Sequence, residues 1–353
     1  MKKLPVAILG APGAVGQRFI QLLENHPWFE VAEVVGKSSA GKRYGDATHW
    51  ILDGNIPDRI AEMVVKPLDS ILESPLLFSA LPKEAALECE TQFAEAGHVV
   101  ATNASAYRMT PDVPLLLPEI NSEHVALVDV QRKNRDWTTG ALVANSNCTV
   151  MPVVMSLAPL LQFGVTKVHM VSEQALSGAG YPGVASLDVI DNIVPYVPSD
   201  EEKMETESRK MLGTYREGRI YELDLIAGAT CTRVPVTDGH IVIMSVELTA
   251  KPSIDDIIHA WRSFEAPDDV RLLPSAPSPM LHYLSQVDRP QPRRDRNAGN
   301  GMATSIGRLR NCPILGYKFV ALSHNTIRGA AGCSILNAEM LAVRGYISGF
   351  SVS

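Results

Sequence analysis

The sequence predicts an α/β protein of two domains, an N-terminal Rossmann-type parallel sheet and a second α+β domain with a largely antiparallel sheet. Short apolar runs alternate with helix-like segments over residues 1–150, and strands that alternate with helices form a parallel sheet covered on both faces. In the second half, several strand-like runs follow one another. The chain has 353 residues, of which 46% are hydrophobic, and this is enough for two cores.

The N-terminal half opens with a buried apolar strand at residues 4–9, which is followed by a helix at 15–23. The later elements alternate in the same way. Further strands are predicted at 31–35, 76–81, 99–102 and 142–144, and a further helix at 82–96. This alternation predicts a first domain over residues 1–147.

The second half contains mostly strands, with a few helices between them. Strands are predicted at 165–172, 230–235, 240–250, 302–309 and 317–322, and helices at 149–161, 183–192, 199–212 and 254–264. These elements predict a second domain over residues 148–325. A last helix at about 329–343, within a C-terminal segment 326–345, is predicted to fold back on the first domain.

Composition excludes several classes of function. The net charge of −7 disfavours nucleic acid as a partner, because phosphate binding needs a basic surface. We interpret the arginine cluster at residues 293–296 as a solvated loop. No apolar stretch is long enough to span a membrane, and no signal peptide is evident. The five scattered cysteines lack the close pairs typical of metal sites, so we predict no metal and a reduced, cytoplasmic protein.

The segment GAPGAVG at residues 10–16 directly follows the first strand and opens the first helix. Gly10, Gly13 and Gly16 let the backbone approach a pyrophosphate, and the helix N-terminus offers free N–H groups. The position of this glycine triplet therefore predicts a dinucleotide site. The alternative interpretation is an ordinary tight turn between a strand and a helix.

The end of the second strand indicates which dinucleotide binds. An NAD site usually has an Asp or Glu there, which holds the ribose 2′-hydroxyl. Here Lys37, Ser38 and Ser39 follow the strand, while Glu33 lies inside it. Hydroxyls and a lysine suit a 2′-phosphate, so the sequence favours NADP over NAD.

Cys148 ends the segment ANSNC, which follows a predicted strand and precedes an apolar helix. Pro152 fits the first turn of that helix, where no N–H is needed. A helix N-terminus lowers the pKa of a nearby thiol and favours the nucleophilic thiolate. We therefore predict that Cys148 is a nucleophile. The alternative is a buried structural cysteine, which is the commoner role of a lone Cys.

His240 differs from the other histidines because it follows a turn between two strand-like runs and stands at the start of a strand. A neutral imidazole there can exchange a proton with the thiol or with a hemithioacetal. Arg233, seven residues earlier, offers a bidentate fork for a substrate carboxylate. The sequence thus predicts a thiol, a base and an anion-binding group.

Five motifs in order resemble those of aspartate-semialdehyde dehydrogenases. They are GAPGAVG at 10–16, SNCT at 146–149, EQALSGAG at 173–180, RVPVTDGH at 233–240 and residues 325–332. The segment DNIVPY at 191–196, followed by EEK at 201–203, is similar to the archaeal and fungal branch in particular. The resemblance runs from residue 4 to about residue 343.

The resemblance implies reversible, NADP-dependent reduction of aspartyl phosphate to aspartate semialdehyde, in the biosynthesis of lysine, threonine, methionine and isoleucine. Cys148 is then the nucleophile that becomes an acyl-thioester, and His240 is the general acid/base. Gln174 helps to orient the substrate. Arg233 binds the α-carboxylate, and Arg108 and Asn147 bind phosphate.

The resemblance also implies an acid–base pair within residues 201–203, which faces the amino group and the phosphate. Glu201 and Lys203 are its predicted members, although the choice between Glu201 and Glu202 stays open. A homodimer or homotetramer follows from the family as well. The predicted cofactor contacts are Gly10, Ala11, Gly13, Ala14, Val15, Gly16, Ser38, Ser39, Ala80, Leu81, Pro82, Ser177, Gly178 and Asn325.

Two kinds of alternative remain at this point. Malonyl-CoA reductase shares the cysteine, the histidine and the NADP site, but a coenzyme A thioester needs no phosphate pocket around Arg108. The intact segment 103–108 therefore favours an acyl phosphate, and N-acetyl-glutamyl-phosphate reductase is a further option. A non-catalytic NADP-binding regulatory protein is disfavoured, because Cys148, Gln174, Arg233 and His240 are all present.

Overall fold

Two β-sheets organise the chain in the computed structural model, which describes residues 2–350. The first sheet has five strands in the order β2-β1-β3-β4-β5, and every neighbouring pair is parallel. Its strands are β1 (Leu4–Leu9), β2 (Phe29–Val35), β3 (Leu76–Ser79), β4 (Val99–Thr102) and β5 (Ala141–Ala144). Because β3, β4 and β5 are buried along their whole length, they have the continuous apolar sequence typical of a sheet covered on both faces. The predicted Rossmann-type sheet is confirmed.

Helices α1 (Ala14–Leu23), α4 (Lys83–Glu95) and α6 (Leu127–Arg135) pack against this sheet. The other helices of this half are α2 (Tyr44–Ala47), α3 (Asp58–Ala61) and α5 (Pro118–Asn121). The predicted helices at 15–23 and 82–96 correspond closely to α1 and α4. Sequence analysis missed α6, because only three of its nine residues are buried and the apolar period is therefore weak.

The second sheet has six strands in the order β11-β12-β13-β10-β6-β9. Its three central pairs are antiparallel, whereas the pairs at its two edges are parallel. Its strands are β6 (Val165–Gln174), β9 (Ile226–Arg233), β10 (His240–Leu248), β11 (Leu281–Leu284), β12 (Thr304–Cys312) and β13 (Gly316–Ser323), and a separate hairpin consists of β7 (Thr214–Arg216) and β8 (Arg219–Tyr221). The predicted largely antiparallel sheet is confirmed.

The helices of this half are α7 (Val150–Leu157), α8 (Ser186–Val189), α9 (Asp200–Met211), α10 (Ile254–Arg262), α11 (Asp268–Arg271), α12 (Pro292–Asp295) and α13 (Gly332–Val343). The predicted helix at 183–192 is wrong in length, because only the single turn of α8 forms. Gly183 has φ +86° and Asp191 has φ +57°, which are not helical values. Leu187 and Ile190 are exposed, so little packing supports a longer helix.

Two helices are wholly or almost wholly buried, one in each half of the fold. Every residue of α7 is buried, and the helix packs against β10, β12 and β13 as well as α9. The C-terminal helix α13 contacts β3 and β4 of the first sheet, where its return was expected. The boundary after residue 147 stays a prediction. Within residues 2–350, no helix has the length and apolar character needed to cross a membrane.

Candidate active site

The ends of several strands meet around one cavity. The residues after β5 lead through Cys148 into α7. In the second sheet, Gln174 and Arg233 are paired neighbours at the carboxyl ends of the parallel strands β6 and β9. His240 begins the antiparallel strand β10 beside them. Three distant motifs therefore reach the same edge of the second sheet, next to the carboxyl edge of the first.

The cavity at this edge, the reaction cavity, has a volume of ≈ 360 Å³. It is lined by Val15, Asn103, Arg108, Asn147, Cys148, Ser177, Gly178, Gly180, Val197, Pro198, Asp200, Lys203, Arg233, Asn325, Thr326, Gly329 and Ala330. Nine of these residues were predicted as site residues. The structure therefore brings together the predicted thiol, the predicted anion-binding groups and part of the predicted cofactor site.

The glycine turn before α1 is built for close backbone approach. Gly10 has φ +75°, a value that favours glycine. A Cβ on Gly16 would lie 2.4 Å from the carbonyl oxygen of Gly10 and 2.5 Å from that of Ala11. Gly13 is the N-cap of α1, and no side chain caps the helix. The first N–H groups, at Ala14 and Val15, therefore stay available, and this end fits a dinucleotide pyrophosphate.

The end of β2 carries no carboxylate directed at this turn. Glu33 is buried and accepts hydrogen bonds from the Lys66 ammonium and from Ser74. Burial alone would raise the pKa of Glu33, but these hydrogen bonds hold it below its ordinary value. Ser38 is exposed and Ser39 is buried directly after the strand. The residues present therefore suit a 2′-phosphate better than a free 2′-hydroxyl.

The other predicted cofactor contacts lie at two further turns. Ala80, Leu81 and Pro82 form the turn between β3 and α4, and a Cβ on Gly10 would lie 2.9 Å from the Ala80 oxygen. On the opposite side, the Asn325 amide donates to the Ser177 hydroxyl at 2.7 Å. Together with the glycine turn, these segments are the predicted walls of a dinucleotide groove, of which Val15, Ser177, Gly178 and Asn325 line the reaction cavity beside Cys148.

The surroundings of Cys148 change one prediction. The thiol lies two residues before α7, where the helix dipole was expected to lower its pKa. Instead, burial and the Asp200 carboxylate raise the pKa of Cys148 to about 12, while the Arg108 and Arg233 guanidinium groups act in the opposite direction. The expected lowering is therefore wrong. Desolvation by burial outweighs the helix terminus.

His240 is fully buried and lies behind Gly178. A Cβ on Gly178 would be 3.0 Å from His240 Nε2 and 2.9 Å from an Arg233 nitrogen, so only glycine keeps this approach open. His240 Nδ1 accepts a hydrogen bond from the backbone N–H of Ala175 at 3.0 Å. Burial, followed by the charge of Arg233, lowers the pKa of His240 to about 3.

These contacts fix the tautomer of His240. A neutral ring that accepts at Nδ1 carries its proton on Nε2. Within residues 2–350, this buried Nε2 has no hydrogen-bond partner. An imidazolium would need a second proton at Nδ1, where the Ala175 N–H already points. His240 does not itself line the reaction cavity, but its Nε2 lies against Gly178, which does. The geometry therefore favours His240 as a hydrogen-bond donor on the Gly178 side.

Arg108 is held at the cavity by a buried ion pair. One guanidinium nitrogen lies 3.0 Å from Glu207, and the other donates to the Asn103 oxygen at 2.7 Å. Arg108 Nε is buried without a partner among the residues that the structure describes. Glu207 also accepts from the Asn147 N–H at 2.7 Å. An anion in the cavity would satisfy the remaining donors of this group.

Sequence analysis missed the acid that lines the cavity. Asp200, the first residue of α9, accepts from Lys203 Nζ at 2.9 Å, from Gln174 at 3.1 Å and from Asn147 at 3.2 Å. Glu201 points elsewhere, because its carboxylate accepts the Cys231 N–H of the edge strand β9 at 2.9 Å. The structure thus brings Lys203 and Asp200 to the site and leaves Glu201 outside it.

A second missed residue fixes the segment that carries Arg108. The buried Lys210 Nζ, on α9, donates to the carbonyl oxygens of Arg108, Thr110 and Val113 at 2.7–2.9 Å. Burial lowers the pKa of Lys210 to about 8. Asp200, Lys203, Glu207 and Lys210 follow the helical spacing of one face, a pattern that the sequence contained.

Two family models match most of the chain. The model of the semialdehyde dehydrogenase NAD-binding domain matches residues 5–128, and that of the semialdehyde dehydrogenase dimerisation domain matches residues 157–328. These two matches fall on the two halves that carry the separate sheets.

Three relatives that match almost the full length of the chain are all aspartate-semialdehyde dehydrogenases. The chain is 46% identical to the aspartate-semialdehyde dehydrogenase of Archaeoglobus fulgidus, over 95% of this chain and 97% of that protein. It is 44% identical to the enzyme of Schizosaccharomyces pombe, over 96% and 98%. The crystal structure of aspartate-semialdehyde dehydrogenase with NADP from Candida albicans superposes with a TM-score of 0.90 at 38% identity, covering 98% of this chain and 100% of that one.

Proposed function

The chain belongs to the aspartate-semialdehyde dehydrogenase family, and from this premise we propose that it is an NADP-dependent enzyme that reversibly converts aspartyl phosphate into aspartate semialdehyde and phosphate. The observation that carries the proposal is the reaction cavity. It combines one thiol with three cationic side chains and one carboxylate. This is the set of charges that a substrate with a carboxylate, an ammonium and a phosphate requires.

The substrate's two charged α-substituents, a carboxylate and an ammonium, fit two side chains of opposite charge in the cavity. We assign the α-carboxylate to Arg233, which lies beside the Gly178 backbone and whose fork matches a carboxylate. We assign the ammonium to Asp200 instead of Glu201, because Asp200 lines the cavity. Gln174 donates to Asp200 and so holds that carboxylate in place.

The phosphate fits the part of the cavity that carries Arg108. Arg108 Nε is a buried donor without a partner within residues 2–350, and Lys203 and Asn147 line the same wall. Glu207 holds both Arg108 and the Asn147 backbone, which keeps the two groups at a fixed separation. A preorganised pair of this kind stabilises the leaving phosphate at low reorganisation cost.

The covalent step uses the Cys148 sulfur. In the biosynthetic direction, a bond forms between this sulfur and the acyl carbon, and the bond from that carbon to the phosphate oxygen breaks. The proton that the thiol gives up balances the proton that the leaving phosphate takes. The thioester that remains is more electrophilic than a carboxylate, which lowers the barrier for reduction.

His240 donates a hydrogen bond to the carbonyl oxygen of the substrate. Its Nε2–H can donate to this oxygen as negative charge develops there, and the buried, water-excluded position strengthens that hydrogen bond. The Ala175 N–H at Nδ1 disfavours a second protonation of the ring. We therefore interpret His240 first as a stabilising donor. Collapse of the oxyanion re-forms the carbonyl and releases the aldehyde and the Cys148 thiolate.

NADP is the cofactor, and when bound it supplies or accepts the hydride at the acyl carbon. The glycine turn with Gly10, Gly13 and Gly16 would hold its pyrophosphate, and Ser38 and Ser39 its 2′-phosphate. The remaining groove contacts would come from Ala11, Ala14, Val15, Ala80, Leu81, Pro82, Ser177, Gly178 and Asn325.

A second copy of the chain is the proposed protein partner. On the face of the second sheet that carries the partly exposed residues, Val171, Ile243 and Val320 form one cross-strand row. Ile226, on the edge strand of the same sheet, is 66% exposed. An apolar sheet face of this kind is typical of protein interfaces, and the matched family model is a dimerisation domain. We propose a homodimer across this face.

All five cysteines are free, which suits a reducing compartment. We therefore propose that the enzyme works in the cytoplasm.

Two assays separate this function from a reductase of coenzyme A thioesters. Oxidation of aspartate semialdehyde is followed as NADPH formation with and without phosphate, beside NADPH consumption with malonyl-CoA. We expect phosphate-dependent NADPH formation and no reaction with malonyl-CoA. Cys148→Ser should lose turnover by about four orders of magnitude or more. Turnover of malonyl-CoA without phosphate-dependent oxidation would contradict the proposal.

A further inference from the structure

A second cavity adjoins the reaction cavity and contains a different set of charges. This side cavity has a volume of ≈ 290 Å³. Its lining residues come from α1, from the segments that follow α2, β6, α12 and β13, and from the turn before β10. They are Ala14, Arg18, Ile51, Leu52, Asp53, Ser177, Thr237, Asp238, Arg296 and Thr326.

Four charged side chains surround the side cavity without pairing with one another. Arg18, Arg296, Asp53 and Asp238 take part in no salt bridge within residues 2–350. Arg296 donates only to the backbone oxygen of Asp238, at 3.1 Å. Opposite charges at the edge of a small cavity that stay apart leave room for a ligand between them.

Arg18 adds a second, independent observation. One of its terminal nitrogens donates to Gln21 at 2.7 Å, but its Nε is buried and has no partner in the part of the chain that the structure describes. A buried donor without an acceptor is costly, and each instance requires an explanation. An acceptor on a ligand in the side cavity would satisfy this nitrogen.

We propose that the side cavity binds a small α-amino acid as a zwitterion. Arg18 and Arg296 would hold its carboxylate, and Asp53 and Asp238 its ammonium. Ala14, Ile51 and Leu52 form the apolar part of the wall, which favours an aliphatic side chain on the ligand.

The side cavity borders the predicted dinucleotide groove, because the predicted cofactor contacts Ala14 and Ser177 also line it, but none of its four charged side chains is a predicted cofactor contact. Arg18 lies four residues after Ala14 on α1, which is about 6 Å farther along the helix from its N-terminus. Ser177 and Thr326 line both cavities and so form the wall between them, whereas Cys148, Arg108 and Arg233 belong to the reaction cavity alone. The proposal does not rest on the proposed function.

Isothermal titration calorimetry with L-leucine tests the proposal on the full chain saturated with NADPH. We expect L-leucine to bind, and 4-methylpentanoate and 3-methylbutylamine, which each lack one of the two charges, to bind at least about tenfold more weakly. Binding that disappears under saturating NADPH would assign the side cavity to the cofactor groove and overturn the proposal. Binding of inorganic phosphate but not of L-leucine would also overturn it.

Substitutions distinguish the side cavity from the substrate subsite. Arg18→Gln and Asp53→Asn should each weaken L-leucine binding by about tenfold or more, because each removes a charge-assisted partner. The matched control is Arg293→Gln, at an exposed arginine outside the cavity, which should leave binding unchanged. If both cavity variants retain wild-type affinity, L-leucine binds elsewhere and the proposal fails. Unchanged NADPH affinity in the variants confirms that they are folded.

Discussion

At the proposed cofactor end, the proposed binding groups are mostly backbone atoms of one short contiguous turn, whereas at the proposed reaction centre they are side chains from five separated segments. The turn at residues 10–16 works through the absence of side chains, because Gly16 packs against the carbonyl groups of Gly10 and Ala11. The reaction centre works through buried charges that constrain one another, such as Asp200 with Lys203. The turn at residues 10–16 therefore depends on close packing of the backbone, and the reaction centre depends on electrostatic interactions.

This difference determines what a mutation does. A change at the cofactor end should alter cofactor affinity and stability and leave the thiol unaffected. A change at the reaction centre should alter protonation, because the pKa values of Cys148 and His240 depend on buried neighbours. Three substitutions and one change of pH test whether the cofactor end and the reaction centre respond separately.

Removing the His240 ring should have the largest effect of the four. His240→Ala should lower kcat by about 10²–10³-fold, since it deletes one preorganised donor to the developing oxyanion. The dissociation constant for NADPH should not change. The matched control is His259→Ala, on the exposed face of α10, which should keep wild-type kcat. A loss of less than tenfold in His240→Ala would remove this residue from the chemical step.

Asp200→Asn should weaken substrate binding and make the Cys148 thiol more reactive. The KM for aspartate semialdehyde should rise by about 10–100-fold, because a charge-assisted contact to its ammonium is lost. Alkylation of Cys148 by iodoacetamide at fixed pH should become faster, because a carboxylate that raises the thiol pKa is gone. Burial would still keep that pKa above its ordinary value. Slower alkylation in this variant than in Asp255→Asn, the exposed control, would contradict the electrostatic account.

Gly16→Ala should affect only the cofactor end. The new Cβ would lie 2.4 Å from the Gly10 oxygen, so the turn must shift at a cost of about 1–3 kcal/mol in the free energy of unfolding. NADPH affinity should fall, while the alkylation rate of Cys148 stays at the wild-type value. Glu24→Ala is the control, because this exposed residue lies at the opposite end of α1. Unchanged NADPH affinity in Gly16→Ala would argue against a pyrophosphate site at this turn.

Acid should destabilise the reaction centre through His240. Its pKa is about 3 in the folded protein and about 6.5 when unfolded. The contribution of the neutral His240 to the free energy of unfolding is therefore fully present above about pH 6.5. It is lost as the pH falls below that value, and the loss amounts to about 2 kcal/mol at about pH 5. Urea unfolding at about pH 7.5 and about pH 5 measures this loss. Between these pH values, the free energy of unfolding should fall by about 2 kcal/mol more for the wild type than for His240→Asn. Equal losses in both proteins would contradict the assigned protonation state.

Local sequence was sufficient to predict the strand, the turn and the helix of the proposed cofactor end. The strand, the turn and the helix are adjacent in the chain, so the glycine spacing and the start of α1 followed directly from residues 4–23. The end of β2 before Ser38 and Ser39 was predicted in the same way, because the strand ends where the sequence changes from apolar to polar. The long strands of the second sheet were predicted for the same reason, whereas the short β11 and the hairpin of β7 and β8 were not.

The reaction centre was predictable only in part. Cys148, Arg233 and His240 stand at the ends of predicted elements, which indicated a site. The choice of Glu201 failed because adjacent residues of a helix differ in direction by about 100°, and the rotation of α9 depends on the elements packed around it. The pKa of Cys148 was likewise beyond the sequence, because it depends on burial and on Asp200, 52 residues away in the chain.

The most direct test of the account is the detection of the acyl group on Cys148. The enzyme is mixed with aspartate semialdehyde and NADP in the absence of phosphate, quenched in acid and analysed by peptide mass spectrometry. The account predicts a burst of NADPH, an acyl adduct on the Cys148 peptide alone, and loss of the adduct when phosphate is added. A burst of NADPH without this adduct, or with the adduct on another cysteine, would contradict it.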